Sequence, residues 1–181
     1  MIIYSVLLLL FGMYLNQIAS IKLHKKAELL LTNPYKPLPD LIHMYFPKIL
    51  IMIPDYFLFL CICISIFNYK LLINIETNLL CIGICSIIRS FSVFLTIMPT
   101  CMPKPNKIQN IYSKFFLSTH DLMFSGHSLF FIAIGNMLNN LFIKFVGPFL
   151  LIISRQHYTI DVCVAYLIYF YIYSNLVILN F

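Results

Sequence analysis

A histidine and an aspartate, His157 and Asp161, stand four residues apart in the segment HYTID, where an apolar run begins. At the start of a helix this spacing places both side chains on one face. The carboxylate can then accept the proton of one imidazole nitrogen, which leaves the other nitrogen to attack an electrophile. The spacing therefore predicts a nucleophile, His157, with its orienting acid, Asp161.

A second histidine, His127, lies in the segment THDLMFSGHSLFF, Thr119–Phe131. At the N-terminal end of a helix that faces His157, it can give a proton to a leaving group. The Ser125–Gly126 turn lets backbone N–H groups approach an anion closely, and the helix N-terminus adds a partial positive charge. Asp121 either caps this helix or contributes to the binding of a lipid headgroup.

An arginine, Arg89, lies well inside a long apolar run, and an intramembrane charge is by default a functional hypothesis. Its guanidinium could hold a phosphate group through two parallel hydrogen bonds. The alternative is a structural ion pair with Glu76 or Asp55. Glu76 is 13 residues away on the same expected helix, about 20 Å along its axis, so that pair would require bending.

Together these residues supply the parts of a phosphoryl transfer through a phosphohistidine. His157 attacks, Asp161 supports it, His127 protonates the departing oxygen, and cations hold the charge of the phosphate. The acceptor then regenerates His157, with His127 acting as the base. This chemistry requires neither a metal ion nor another cofactor. The same residue types leave a metal site of two histidines and an aspartate open as the alternative.

The composition is that of a membrane protein. Of 181 residues, 61% are hydrophobic and 10% are charged, whereas a soluble domain carries about 25% charged residues. The net charge is +6. Because lysines lie between the apolar runs, anionic lipid headgroups or phosphate-bearing substrates are better partners than nucleic acid. We expect an all-α fold in which residues 1–181 form one membrane-embedded catalytic domain, without a soluble accessory domain.

Six cysteines lie mostly inside apolar runs. Cys61 and Cys63, and Cys81 and Cys85, have no matching pair of cysteines or histidines that would complete a zinc site. We therefore interpret the cysteines as small packing residues.

The chain has room for about six spans of roughly 20 residues with short loops. We expect spans at Met1 to about Ser20, about Phe46–Tyr69, about Leu71–Met98, from FSGH to about Leu138, about Leu141–Ser154 and about Tyr158–Leu179. A polar connection, Ile21–Asp40, follows the first span, and its prolines exclude a continuous helix. The fourth and fifth helices are short, so they either cross a thinned region or are tilted fragments. Loops after spans one, three and five share one face, which brings the two histidine segments together.

Four segments of the chain resemble motifs of the sphingomyelin synthase family, a branch of the type 2 phosphatidic acid phosphatase superfamily. FSGHS and HYTIDV are similar to its two catalytic motifs. KPLPDLI, Lys36–Ile42, resembles its PPLPD segment, and RSFSVFLTIMP, Arg89–Pro99, resembles its R-x2-T-x3-T-x-L-P segment. The chain departs from the family where THD replaces CGD and in a shorter stretch between the histidines. It also has Leu151 where the phosphatase branch has an arginine.

The resemblance implies a six-transmembrane-helix bundle whose catalytic triad is His127, His157 and Asp161. It also implies the reaction: His157 takes the headgroup of a glycerophospholipid such as phosphatidylcholine, diacylglycerol leaves, and ceramide accepts the headgroup. The expected partners are these lipids, and a homo-oligomer is left open. With water as the acceptor the same site would be a phospholipase C or lipid phosphatase, and with diacylglycerol a headgroup exchanger. A lipid-binding protein without activity is the third hypothesis.

The expected location is the Golgi, another internal membrane or the plasma membrane, with the site on the lumenal or exoplasmic side. The distribution of basic residues conflicts with this orientation. The loops of the catalytic face carry nine, and the other face carries two (Lys22, Lys25, Lys26, Lys36, Lys48, Lys104, Lys107, Lys114 and Arg155 against Lys70 and Lys144). The positive-inside rule would place the site in the cytosol. Because basic residues beside a phosphate site also serve binding, we favour the lumenal side.

Overall fold

The computed structural model describes residues 2–30, 37–69, 72–99 and 124–179, and in these ranges the chain forms α-helices and no strand. The helices are α1 Ile2–Leu30, α2 Leu41–Tyr45, α3 Met52–Phe67, α4 Ile75–Leu95, α5 Gly126–Met137, α6 Leu141–Ile153 and α7 Thr159–Ile178. The predicted all-α class is thus confirmed for the described ranges.

Three helical segments are long and apolar enough to cross a membrane: Ile2–Leu23 of α1, and the whole of α4 and α7. The chain is therefore membrane-embedded. α3 and α6 are apolar but have 16 and 13 residues, about 24 and 20 Å, against a hydrocarbon core of about 30 Å. α5 is shorter still, at 12 residues. The predicted count of six spans is thus not confirmed.

α1 is longer than the first span expected from the sequence. It continues past Ser20 into the predicted polar connection and ends at Leu30, before the first proline of that segment. The buried residues Ala19, Leu23 and Ala27 recur every four residues. Ala19 and Leu23 pack against Val93 of α4, so tertiary burial extends the helix into a segment whose composition is more polar.

α3 begins at Met52, six residues later than the predicted second span. Pro47 disfavours helical backbone in the residue before it, and the Ile49 N–H donates instead to the Ile153 carbonyl at 3.3 Å. Pro54 and Asp55 consequently lie in the first turn of α3 and not in its interior. There a proline is tolerated and a carboxylate is favoured by the helix dipole.

α4 is the central helix of the bundle. Half of its spanning segment is buried, compared with 17% for α1. One core joins it to α3, α5 and α7 (Leu58, Cys61, Cys81, Ile82, Cys85, Leu129, Ile132, Ala165 and Tyr169 among others). The predicted packing role is confirmed for three buried cysteines, Cys61, Cys81 and Cys85, whereas Cys163 is exposed. Cys101 lies outside the described residues.

α1 and α4 approach each other through glycines. A Cβ atom on Gly83 would lie 3.1 Å from the backbone nitrogen of Leu9, and one on Gly12 would lie 2.8 Å from Cβ of Ser86. Small residues allow membrane helices to come this close. This packing also brings Asn16 of α1 beside α4.

α5 and α6 form a tight antiparallel hairpin. The turn lies at Asn139–Asn140, between the predicted fourth and fifth spans: Asn139 has a left-handed backbone with φ of 49°, and Asn140 Oδ1 caps α6 by accepting the Ile143 N–H at 3.2 Å. Because the two helices have 12 and 13 residues, the chain returns to the level at which α5 began. The turn between α6 and α7 therefore lies beside the N-terminus of α5.

Candidate active site

The N-terminus of α7 brings His157 and Asp161 together. His157 Nδ1 lies 3.5 Å from Asp161 Oδ2, and the two side chains are 7% and 1% exposed. The predicted proximity of the two side chains is thus confirmed, although His157 precedes α7 by two residues and the pair does not share a helix face. With Nδ1 facing the carboxylate, Nε2 is the nitrogen available for attack.

Two polar atoms of this pair are buried and make no hydrogen bond to the described residues: His157 Nδ1 and Asp161 Oδ1. Asp161 Oδ2 accepts the Tyr158 N–H at 3.0 Å, which holds the carboxylate at the helix N-terminus. Buried polar atoms are almost always hydrogen-bonded, so an exception requires an explanation. A catalytic pair is one such explanation, because catalytic hydrogen bonds are often long before the substrate binds.

Ser125 connects the two histidine segments. It is the N-cap of α5, where its Oγ accepts the Ser128 N–H at 3.2 Å, and its own N–H donates to the Asp161 carbonyl at 3.3 Å. Its side chain is fully buried. The hydroxyl and the amide therefore fix the position of α5 against α7. The predicted contact of Ser125 with phosphate stays a prediction, as does that of Gly126.

Arg89 lies directly beside the start of α5. Its Nε donates to the Phe124 carbonyl at 2.6 Å, and its Nη1 donates to Asn16 Oδ1 at 3.2 Å. A Cβ atom on Gly126 would lie 3.4 Å from Nε and 3.5 Å from Cζ of the guanidinium. The absence of a side chain at Gly126 thus lets the guanidinium and the first turn of α5 form one positive region.

Asp55, which the sequence offered only as an ion-pair partner of Arg89, lies beside His127. Its Oδ1 lies 3.7 Å from His127 Nε2, and its Oδ2 accepts a hydrogen bond from Gln156 Nε2 at 3.2 Å. Gln156 also donates to the Ile51 carbonyl at 2.6 Å. Asp55 therefore lies between His127 and the residue that precedes His157. The signal in the sequence was a carboxylate close to an intramembrane proline, but its distance to His127 depends on helix packing.

Asp121 lies outside the described residues. The sequence left it as either a helix cap or a headgroup contact, and in the structure the N-cap of α5 is Ser125. Headgroup binding by Asp121 stays a prediction. Within the described ranges, no group of three histidine, cysteine, aspartate or glutamate side chains is arranged to hold a metal ion.

No protein-family model matches the chain. None of the curated proteins matches it either. The site geometry and the short motifs are therefore what supports a functional assignment.

Proposed function

We propose that this protein is a membrane phosphotransferase that moves a phosphoalcohol headgroup, such as phosphocholine, from a glycerophospholipid to ceramide through a phosphohistidine. The catalytic groups are His157, Asp161 and His127. The proposed fold is a six-transmembrane-helix bundle with α3, α5 and α6 as its short spans. The proposed location is a Golgi or plasma membrane, with the site on the lumenal or exoplasmic side.

The observation that carries this proposal is the buried pair of His157 and Asp161, 3.5 Å apart, with a second histidine segment attached to Asp161 by the Ser125 N–H. A carboxylate on Nδ1 holds the imidazole in one orientation and makes Nε2 a better nucleophile. A buried imidazole and carboxylate that leave polar atoms without hydrogen bonds cost stability. A catalytic role explains their presence better.

In the first step His157 Nε2 attacks phosphorus, an N–P bond forms, and the P–O bond to diacylglycerol breaks. The departing oxygen takes a proton from His127, beside which Asp55 stabilises the positive imidazolium. In the second step the primary hydroxyl of ceramide attacks phosphorus and loses its proton to His127. The N–P bond breaks, and His157 is regenerated.

The negative charge of the phosphoryl group is balanced at the N-terminus of α5. The first-turn amides of a helix have no intrahelical acceptor and carry a partial positive charge. The guanidinium of Arg89 adds a full charge next to them, since it lies against Gly126. Preorganised positive groups of this kind are usually the largest single contribution to phosphoryl transfer.

The test uses purified protein in phosphatidylcholine vesicles that contain fluorescent ceramide, with products identified by mass spectrometry. We expect a sphingophospholipid and diacylglycerol in equal amounts, and an acid-labile phosphoryl group on the protein when ceramide is omitted. His157→Ala removes both products and the phosphoprotein. Asn175→Ala, an exposed position near the end of α7, is the matched control and keeps full activity.

Two outcomes would replace the proposal. Free phosphocholine released without ceramide would assign the protein as a phospholipase C that uses the same site. Full transfer by His157→Ala would exclude the phosphohistidine mechanism.

A further inference from the structure

Asp40 joins the N-termini of two helices that are far apart in the sequence. Its Oδ1 accepts the N–H groups of Ile42 at 3.0 Å and His43 at 3.2 Å, and so caps α2. Its Oδ2 accepts the N–H of Thr159 at 2.7 Å, and Oδ1 also accepts the Thr159 hydroxyl at 2.8 Å. The two shortest of these bonds therefore hold the first residue of α7, 119 positions away.

The residues around Asp40 also hold the turn that leads into α7, residues 157–159. The Leu38 N–H donates to the Tyr158 hydroxyl at 2.8 Å, and that hydroxyl donates to the Pro99 carbonyl at 3.1 Å. His43 Nε2 lies 3.2 Å from the His157 carbonyl oxygen, to which it donates in its Nε2–H tautomer. Three successive residues, 157–159, are thus fixed by one short segment, 38–43.

The backbone of this turn sets the distance between the side chains of His157 and Asp161. Tyr158 and Thr159 lie between the two residues in the chain, and Asp161 Oδ2 itself accepts the Tyr158 N–H. A rotation of the backbone at Tyr158 or Thr159 would change the distance of 3.5 Å between His157 Nδ1 and Asp161 Oδ2. Misplacement of a reacting group by about 1 Å can cost about 100-fold in rate.

We infer that Asp40 is a positioning residue, which holds the His157–Asp161 pair in its productive geometry by binding Thr159. This inference rests on the proposed function. Capping of α2 alone does not account for the contacts, because α2 has five residues and buries none of them. A charged acceptor on two short hydrogen bonds is instead suited to fixing the position of α7.

The test compares Asp40→Ala and Asp40→Asn with the wild type in the vesicle assay. For Asp40→Ala we expect kcat to fall about 10-fold to 100-fold with little change in KM, because the lipid-binding groups stay in place. Asp40→Asn keeps an acceptor oxygen for the Thr159 N–H and retains more of the activity. The matched control is Asn140→Ala, which removes a helix cap at the opposite end of α6 and leaves kcat unchanged.

A second readout does not depend on activity. In protein with labelled histidines, the imidazole signals of His157 are assigned by their loss in His157→Ala and then compared between Asp40 variants. Asp40→Ala is expected to shift these signals, and Asn140→Ala is not. If the wild type transfers no headgroup, the proposed function fails, and the His157 signals alone then show whether Asp40 positions His157.

A wild-type kcat together with unchanged His157 signals in folded Asp40→Ala would overturn the inference and leave Asp40 as an ordinary cap. If Asp40→Ala does not fold, Asp40→Asn decides by the same two measurements.

Discussion

At the scale of single residues, each histidine of the site has its own carboxylate. His157 pairs with Asp161 and His127 with Asp55, at 3.5 and 3.7 Å. In the sequence only His157 has an aspartate four residues on, but in the structure Asp55 gives His127 a carboxylate as well. Exposure now separates the pairs, at 7% and 1% for the first and 32% and 42% for the second. The buried pair is suited to a fixed nucleophile, and the accessible pair to proton exchange.

The roles assigned to His127 and His157 predict that the two alanine variants respond differently to the leaving group of the donor. His127→Ala lowers transfer from phosphatidylcholine about 100-fold to 10,000-fold, the usual contribution of a general acid. With 4-nitrophenyl phosphocholine as the donor the loss in the rate of the first turnover is much smaller, since nitrophenolate departs without a proton, whereas later turnovers still need His127 as the base. Release of nitrophenolate in the first turnover, measured by absorbance, tests this. His157→Ala is inactive with both donors, and equal first-turnover losses for His127→Ala with both donors would contradict its role as the acid.

At the scale of the helices, glycines set the distances between elements. A Cβ atom on Gly147 would lie 2.2 Å from the Phe131 ring, and one on Gly135 would lie 2.9 Å from the backbone nitrogen of Lys144. The α5–α6 hairpin can therefore close only where these positions lack side chains. The hairpin in turn places the α6–α7 turn, with His157, beside Ser125.

Gly147→Ala is expected to lower the free energy of unfolding by about 1–3 kcal/mol, the usual cost of overpacking. Thermal unfolding in detergent measures it. Gly126→Ala is the matched control for stability, because its Cβ would meet nothing closer than 3.4 Å.

A double variant, Gly147→Ala with Phe131→Ala, tests whether the Phe131 ring is what opposes a side chain at position 147. The double variant should lose less stability than the sum of the single variants, since the ring is then absent. Additive losses would show that the Phe131 ring is not what opposes a side chain at position 147.

At the scale of the whole molecule, a second buried polar cluster lies at the other end of the bundle, away from the site. The Tyr169 hydroxyl donates to Asn78 Oδ1 and accepts from Asn136 Nδ2 at 3.3 Å, which connects α7 to α4 and α5. Asn78 and Tyr169 are fully buried. α4, α5 and α7 are thus also joined to one another at a level away from the site.

Tyr169→Phe is expected to lower the free energy of unfolding by about 1 kcal/mol, because Asn78 loses a partner in an apolar surrounding. The headgroup transfer measured well below the unfolding temperature should not change. Tyr173→Phe is the control, since its hydroxyl bonds to Asn74 at an exposed position. An equal effect of both variants on stability would contradict a special role for the buried cluster.

Prediction from the sequence succeeded where the deciding pattern is local. Five of the expected helices, α3 to α7, lie within the predicted spans, since apolar runs bounded by turns define them. It failed at the end of α1 and the start of α3. There a buried stripe against Val93 extended one helix, and the hydrogen bond from Ile49 to Ile153 replaced the first turns of the other.

The sequence by itself determined that the chain is an all-α, membrane-embedded protein and that His157 faces Asp161. Apolar content and an i, i+4 spacing act over a few residues, so they can be read without knowledge of the packing. Only the tertiary structure decided that Asp55 lies beside His127 and that Asp40 holds Thr159. The contacts of these two carboxylates span up to 119 positions, and such contacts depend on how the helices pack, which no local pattern records.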